Sequence, residues 1–400
     1  MSDRTLRLAV VSTHPIQYYA PLFRALAAEA GISLRVFFTW SQAEGGATFD
    51  PEFGRTVSWD VPLLDGYAYE FVNNRARRPG THHFFGVDNP RLVTALSDWA
   101  PDAILVFGWN LRSHLRVMRR FKGRIPVLFR GDSTLLDPRP AHRRLARRVA
   151  LTWIFRHVDA AIAVGEANRR YFLWAGVRPE RIFFAPHAID NDRFADPGGE
   201  AARDALARRT ALGIPDDAVT FLFAAKFIAK KAPLMLVDAF ASLPGDPHLV
   251  MVGDGPLDSP IREAADRHPR IHVLPMQNQG AMPAVYRIGD TFVLPSQGPG
   301  ETWGLALNEA MACARPVIGS SRAGGAGDLI RPGVDGWIFE SADRSSLRAS
   351  LSNALARGRP GLRRMGHDAA ERIRGWSIDR AAAGIAVAVR RCHGNETEPR

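Results

Sequence analysis

Short apolar segments alternate with segments of helical spacing along most of the chain, in two successive series. The first series has apolar segments at Leu6–Ser12, 34–40, Ala103–Phe107, 126–129, 160–164 and 182–185, with helical spacing at 20–30, 90–99 and Ala141–Phe155. The second has them at 219–225, His248–Val252, Ile271–Leu274, Thr291–Leu294, 316–319 and Gly336–Phe339. Strands that alternate with helices build βαβ units and hence mostly parallel sheets. Between the series, Asp196-Pro-Gly-Gly199 and Gly213-Ile-Pro-Asp-Asp217 flank a charged, helical connector. Four hundred residues exceed what one ordinary core holds. The expectation is α/β with two Rossmann-like domains, 1–195 and 196–375. An Ala-rich amphipathic helix at 376–392 is expected to dock back onto the first. The stretch 41–88 has little periodicity, with Gly45-Gly46 and His82-His83, and reads as a functional loop or lid.

Hydrophobic content of 46% and charged content of 23% are those of a soluble globular protein. No apolar run nears the roughly 18 residues that cross a bilayer. Leu6 to Val11 is too short for the core of a signal peptide and reads as a first strand. Cys313 and Cys392 cannot make a disulfide framework, which favours a reducing cytoplasm. The net charge is +11, and residues 110–156 hold thirteen Lys/Arg against Asp132 and Asp137. Such a surface attracts phosphates, nucleic acid or an anionic leaflet. Helix 141–155 has arginines beside an apolar stripe. It reads as an ordinary helix packed on its sheet, with its charge able to bring the chain to a membrane.

The most informative stretch is 292–309, Phe-Val-Leu-Pro-Ser-Gln-Gly-Pro-Gly-Glu-Thr-Trp-Gly-Leu-Ala-Leu-Asn-Glu. It reads as a buried strand, a Pro/Gly loop and a helix opening near Trp303. A helix that follows a strand and a Gly-rich loop aims unpaired N–H groups and its positive dipole end at one spot, which suits a diphosphate. Glu309 lies one turn inside, where its oxygens can accept from a vicinal diol. Glu301, in the loop, faces the neighbouring volume. Lys226 ends a strand and Lys231 follows five residues on, so both can reach the same place.

These segments resemble the retaining family 4 (group 1) glycosyltransferases of GT-B architecture. Ala225-Lys-Phe-Ile-Ala-Lys-Lys231 resembles that family's Gly-Arg-x4-Lys, and Leu249 to Leu257 matches its Gly-Asp-Gly-Pro strand end, including Gly253. Glu301 to Glu309 matches its E-x7-E signature, and 309–318, 324–330 and 333–337 continue in register over about 150 residues. The resemblance implies catalytic roles for Lys226, Lys231 and Glu301: the lysines neutralise the departing diphosphate, and Glu301 contacts the transferred sugar. It implies donor binding by Glu309 on ribose, by the backbone at Trp303, Gly304 and Leu305, and by Met276 and Gln277 near the base. Three departures stand out: Lys226 for Arg, Asp328 for Glu, and Ala314 for a helix-ending Gly.

The first half matches less. Thr13-His-Pro-Ile-Gln17 stands where the family has a Gly-Gly loop, which makes His14 and Gln17 candidates for acceptor contact. Arg130-Gly-Asp132 follows the fourth strand and supplies Arg130 and Asp132 as candidates for sugar contact. Glu166 is a further polar residue at a strand end. Asp190-Asn-Asp192 has a metal-binding D-x-D pattern but sits in the interdomain segment, so no metal is expected. The resulting expectation is a cytoplasmic retaining glycosyltransferase that uses a nucleoside diphosphate sugar, UDP-linked by first choice, without a cofactor. The acceptor would be a sugar or lipid-linked hydroxyl in surface polysaccharide or glycolipid assembly, with peripheral contact to an anionic membrane. Two alternatives remain: a sugar-nucleotide epimerase of the same architecture, and a basic nucleic-acid-binding protein, although no recognisable nucleic-acid module is present.

Overall fold

Among the described residues fifteen strands form, twelve of them where the apolar runs place them. The structure, a computed structural model, describes residues 4–44, 47–50 and 55–394. Contacts divide the chain into two units. One comprises Met1–Thr48, Val57–His187 and Ile378–Arg400, and the other Phe49–Thr56 and Ala188–Ser377.

The first unit is built on β1 (Leu6–Ser12), β2 (Ile32–Phe38), β5 (Ala68–Phe71), β6 (Ala103–Phe107), β7 (Val127–Arg130), β8 (Ala160–Ala163) and β9 (Ile182–Phe184). Their order in the sheet is β5-β2-β1-β6-β7-β8-β9, and the pairs with assigned register are parallel. Helices cover both faces of a parallel sheet, so its central strands are apolar throughout rather than alternating. In β1, Leu8, Ala9, Val10 and Val11 are all fully buried. The stretch read as a loop or lid is only partly that. Ala68–Phe71 adds the edge strand β5, and β3 (Ala47–Asp50) and β4 (Arg55–Ser58) form a separate two-stranded sheet. Gly45 and Gly46 lie outside the described residues.

The closing helix, Ile378–Gly394, belongs to this unit. It buries Ala381, Ala382, Ile385, Ala386, Ala388 and Val389. Gly384 is pressed so closely to the Phe184 carbonyl that a Cβ there would lie 2.3 Å from the oxygen. Arg390 donates to Glu29 at 3.0 Å and to the Ala30 carbonyl at 2.8 Å.

The second unit holds β10 (Thr220–Ala224), β11 (His248–Val252), β12 (Ile271–Leu274), β13 (Thr291–Leu294), β14 (Val317–Ser320) and β15 (Gly336–Phe339), ordered β12-β11-β10-β13-β14-β15 and parallel. The chain runs outward from β10 on one side and then from β13 on the other. A doubly wound sheet binds ligands beyond the carboxyl ends of the two strands where this reversal occurs. The corresponding pair in the first unit is β1 and β6. At the base of the second sheet, buried Asp290 accepts from the Thr220 amide at 2.9 Å, Arg209 at 3.3 Å and Arg359 at 2.9 Å. This net of charge-assisted bonds fixes the start of β10 and β13.

Candidate active site

The reversal between β10 and β13 brings together the residues that the sequence singles out. β10 ends at Ala224 and delivers Lys226; the turn Ala229–Lys231 brings Lys231 alongside. β13 ends at Leu294 and runs into the loop that carries Ser296 and Glu301. The Lys231 ammonium donates to Glu301, and the Ser296 hydroxyl donates to the same carboxylate oxygen at 2.8 Å. Lys231 and Glu301 therefore form one ion pair, with side chains 19% and 9% exposed. Two residues expected to act separately hold each other in this state.

The helix opens at Leu305, two residues after Trp303. Gly304, at φ 92°, precedes it in a left-handed conformation that a side chain would strain. The indole of Trp303 is 3% exposed. It donates from Nε1 to Asn308 at 2.9 Å and packs on Trp376, with ring centres 5.3 Å apart. A Cβ on Gly325 would come within 2.8 Å of that indole. The side chain of Trp303 is thus a spacer beneath the Gly324-Gly325 turn, and only its backbone belongs to the loop. Gly253 serves the other rim, where a Cβ would meet the Ala225 carbonyl at 2.1 Å, so only glycine lets the Lys226 loop lie so close.

Glu309 is 2% exposed and accepts from the hydroxyl of Tyr286 at 2.6 Å. A carboxylate has about four acceptor positions, so one donor fixes its plane and leaves capacity for a diol. Tyr286 was not legible as a site residue. Beyond β12, the Met276 amide lies 3.4 Å from Asp254, and Gln277 pairs with Arg208 at 3.5 Å and the Pro275 carbonyl at 3.0 Å.

In the first unit, His14 lies in the loop after β1. Its ring contacts Thr13 at 2.9 Å and meets Trp40 edge-on at 5.2 Å, and burial lowers its pKa to about 4. Gln17 is half-buried in the same loop. Arg130, at the end of β7, is 3% exposed and donates to the carbonyls of Ala185 and Pro186 at 2.8 and 2.9 Å. Its fork clamps the exit of β9, a structural task that competes with sugar contact. Asp132 lies 3.9 Å from His187, which stacks on Tyr19 at 6.3 Å. Burial, opposed by Asp132, takes the pKa of His187 down to about 4. Tyr19 and His187 join this cluster from segments far apart in sequence. A further buried imidazole, His114, faces the carbonyls of Phe107 and Gly108 through Nδ1 and the Thr39 hydroxyl through Nε2, each within 3.1 Å.

Other candidates have local tasks. Glu166 pairs with Arg169 and Arg170 on its own helix. Asp190 caps the helix Asn191–Ala195 by accepting from the Arg193 amide at 3.2 Å. Among the described residues no group of three His, Cys, Asp or Glu could hold a metal ion. Cys313 is buried, its thiol pKa pushed up to about 12 by burial. Helix Ala141–Phe155 departs from its expected packing. Leu151, Ile154 and Phe155 turn inward, but Leu145 and Val149 are each 64% exposed and Trp153 41%. They border a groove with Arg148 and Arg156. Among the described residues no helix is long and apolar enough to cross a membrane.

Residues 10–188 match the glycosyl transferase 4-like domain and residues 205–372 match glycosyl transferases group 1. A D-inositol 3-phosphate glycosyltransferase of Geodermatophilus obscurus is 32% identical over 266 residues, covering 62% of this chain and 57% of that protein. The chain spans about half the length of the curated relatives it matches. Among solved structures, Anabaena HepE in complex with UDP superposes with a TM-score of 0.70 at 18% identity, over 96% of this chain and 100% of that one. Sucrose-phosphate synthase of Thermosynechococcus elongatus gives 0.71 at 19%, over 98% and 100%. These likenesses show the GT-B fold. The chain belongs to the glycosyl transferases group 1 family.

Proposed function

We propose that the chain transfers a sugar from a nucleoside diphosphate sugar to an acceptor hydroxyl, with retention at the anomeric carbon. The observation that carries this reading is the convergence of Lys226, Lys231, Glu301, a helix N-terminus and Glu309 at one strand reversal. On this reading Glu309, its plane set by Tyr286, takes the ribose diol. Lys226, Lys231 and the first N–H groups of helix Leu305–Ala312 take the diphosphate. The bond from the anomeric carbon to the phosphate oxygen breaks as the bond to the acceptor oxygen forms on the same face. The acceptor proton passes to the departing phosphate oxygen. Fixed positive groups stabilise the charge that grows there, a task a metal would otherwise perform. When the diphosphate arrives, Lys231 exchanges its pairing with Glu301 for the phosphate and frees Glu301 for the sugar hydroxyls. His14, Gln17 and Asp132 of the first unit are read as acceptor contacts.

The solved complexes of Anabaena HepE with UDP and with UDP-glucose favour a uridine nucleotide as donor. The acceptor class is a sugar or lipid-linked hydroxyl. The name of the curated relatives makes a phosphorylated polyol an acceptor to include in any panel. Peripheral attachment at an anionic membrane is a second part of the proposal, carried by the exposed Leu145, Val149 and Trp153 among arginines. The test is turnover of UDP-, GDP- and ADP-sugars with and without EDTA, and assignment of the product anomer by NMR. Glu309→Ala and Lys231→Ala should each lower transfer at least a hundredfold while the circular dichroism spectrum is kept. Full activity in both variants, or an inverted product, would overturn the reading.

A further inference from the structure

The second unit contains a cavity of about 420 Å³ beside Ala314 and Arg315, which follow helix Leu305–Ala312. It is lined by Arg209, Arg287, Arg315, Arg359, Arg363 and His367, together with the apolar Ala205 and Leu206. Helical spacing assembles it. Ala205, Leu206 and Arg209 share a face of Glu200–Ala211, and Arg359, Arg363 and His367 recur every four residues after the break at Gly358. Ala314, held at φ 55°, turns the chain so that Arg315 enters the same space.

The carboxylates do not match the cations. Asp290 answers Arg209 at 3.3 Å and Arg359 at 2.9 Å, and Asp196 lies 3.7 Å from Arg287. Among the described residues Arg363 and His367, both exposed at the mouth, have no carboxylate partner, and the buried Nε of Arg315 has no hydrogen-bond partner. Burial lowers the pKa of Arg315, against the pull of Asp290, and nearby Arg287 and Arg359 push it the same way as burial does. A buried donor such as the Arg315 Nε costs free energy unless an acceptor answers it, and the like charges crowded around it favour an anion as that acceptor.

We propose that this cavity is a binding site for a phosphoryl-bearing small molecule, distinct from the nucleotide-sugar site. A tetrahedral phosphoryl group offers oxygens in several directions and so meets guanidinium forks arriving from different helices, whereas a carboxylate offers two oxygens in one plane. The cavity falls within the roughly 300–1,000 Å³ range of small-molecule pockets, larger than a bare ion needs. Its apolar wall at Ala205 and Leu206 takes the rest of the ligand. Arg287 adjoins Tyr286 on one helix, and Arg315 follows the helix that bears Glu309. The occupant therefore lies beside the helix that carries Tyr286 and the segment that follows the helix of Glu309.

Calorimetric titration with pyrophosphate tests this, using the full chain with Lys226→Ala and Lys231→Ala so that the donor-side lysines do not report. One binding event is expected, weakened at least tenfold by adding Arg363→Glu and changed less than twofold by Arg364→Glu, a neighbouring exposed arginine outside the cavity lining. If the lysine variant does not fold, the otherwise native chain serves. There Arg363→Glu should lower the stoichiometry from two pyrophosphates to one. Absence of binding in the folded lysine variant overturns the proposal, as does equal weakening by Arg363→Glu and Arg364→Glu. The sugar-transfer reading stands or falls separately, since it rests on Lys231 and Glu309.

Discussion

At the scale of single residues, the hydrogen bond from Tyr286 to Glu309 is the clearest gain over the sequence. The two lie twenty-three positions apart, and a tyrosine inside Met282–Ile288 reads as one more core residue. Tyr286→Phe keeps the ring and removes one donor to a charged acceptor, a loss on the order of 2 kcal/mol. The expected outcome is a KM for the donor raised roughly tenfold or more, with kcat changed far less. An unchanged KM would remove Tyr286 from the site. The buried histidines give a pH signature. His14, His114 and His187 each sit near pKa 4 in the fold, with burial as the first cause. Unfolded, they bind protons near pH 6.5, so the unfolded state holds more protons between those values. Their contribution is complete above pH 6.5 and is lost as pH falls toward 4. Thermal melts from pH 7.5 to 4.5 should show the first unit, which holds all three, losing melting temperature over that window. A flat profile would mean that the imidazoles titrate freely.

At the scale of elements, strands were legible because a strand buried on both faces of a parallel sheet is apolar throughout. Of the three missed strands, Ala68–Phe71 is an edge strand with Ala68 and Tyr69 exposed, so it shows no such run. Lys226, Lys231, Glu301 and Glu309 were visible because they lie in motifs at fixed spacing. Tyr19, His187 and Tyr286 were not, since only the fold brings their partners near. Helix Ala141–Phe155 shows the limit of periodicity: its apolar residues split between an inward set and an outward set, which a single stripe does not reveal. The outward set allows a direct test. Leu145→Glu with Val149→Glu should abolish flotation with anionic vesicles and leave turnover of a water-soluble acceptor unchanged. No flotation of the unaltered chain at low salt would end the membrane reading.

At the scale of the whole molecule, the chain leaves the first unit between His187 and Ala188 and returns to it between Ser377 and Ile378. Removing 378–400 strips the first unit of a helix with six buried residues, while all segments of the second unit remain. Two of the six, Ile385 and Val389, are large aliphatics, each accounting for about 1.5–3 kcal/mol on full burial, against a typical stability of about 5–15. The truncated chain should therefore melt in two steps, the first unit lowered by at least 10 °C and the second nearly unmoved. A single transition at the original temperature would show the helix to be dispensable.

The same return has a consequence for biosynthesis. Domains generally fold as units while the chain is still emerging. Residues 57–187 emerge early, yet the helix that completes their unit is translated only after Ser377. The second unit, whose segments all precede that point, can close while the first still exposes the surface on β8 and β9 that Ile378–Gly394 will cover. The part translated first is the part finished last, and its open flank is where a chaperone would find the nascent chain.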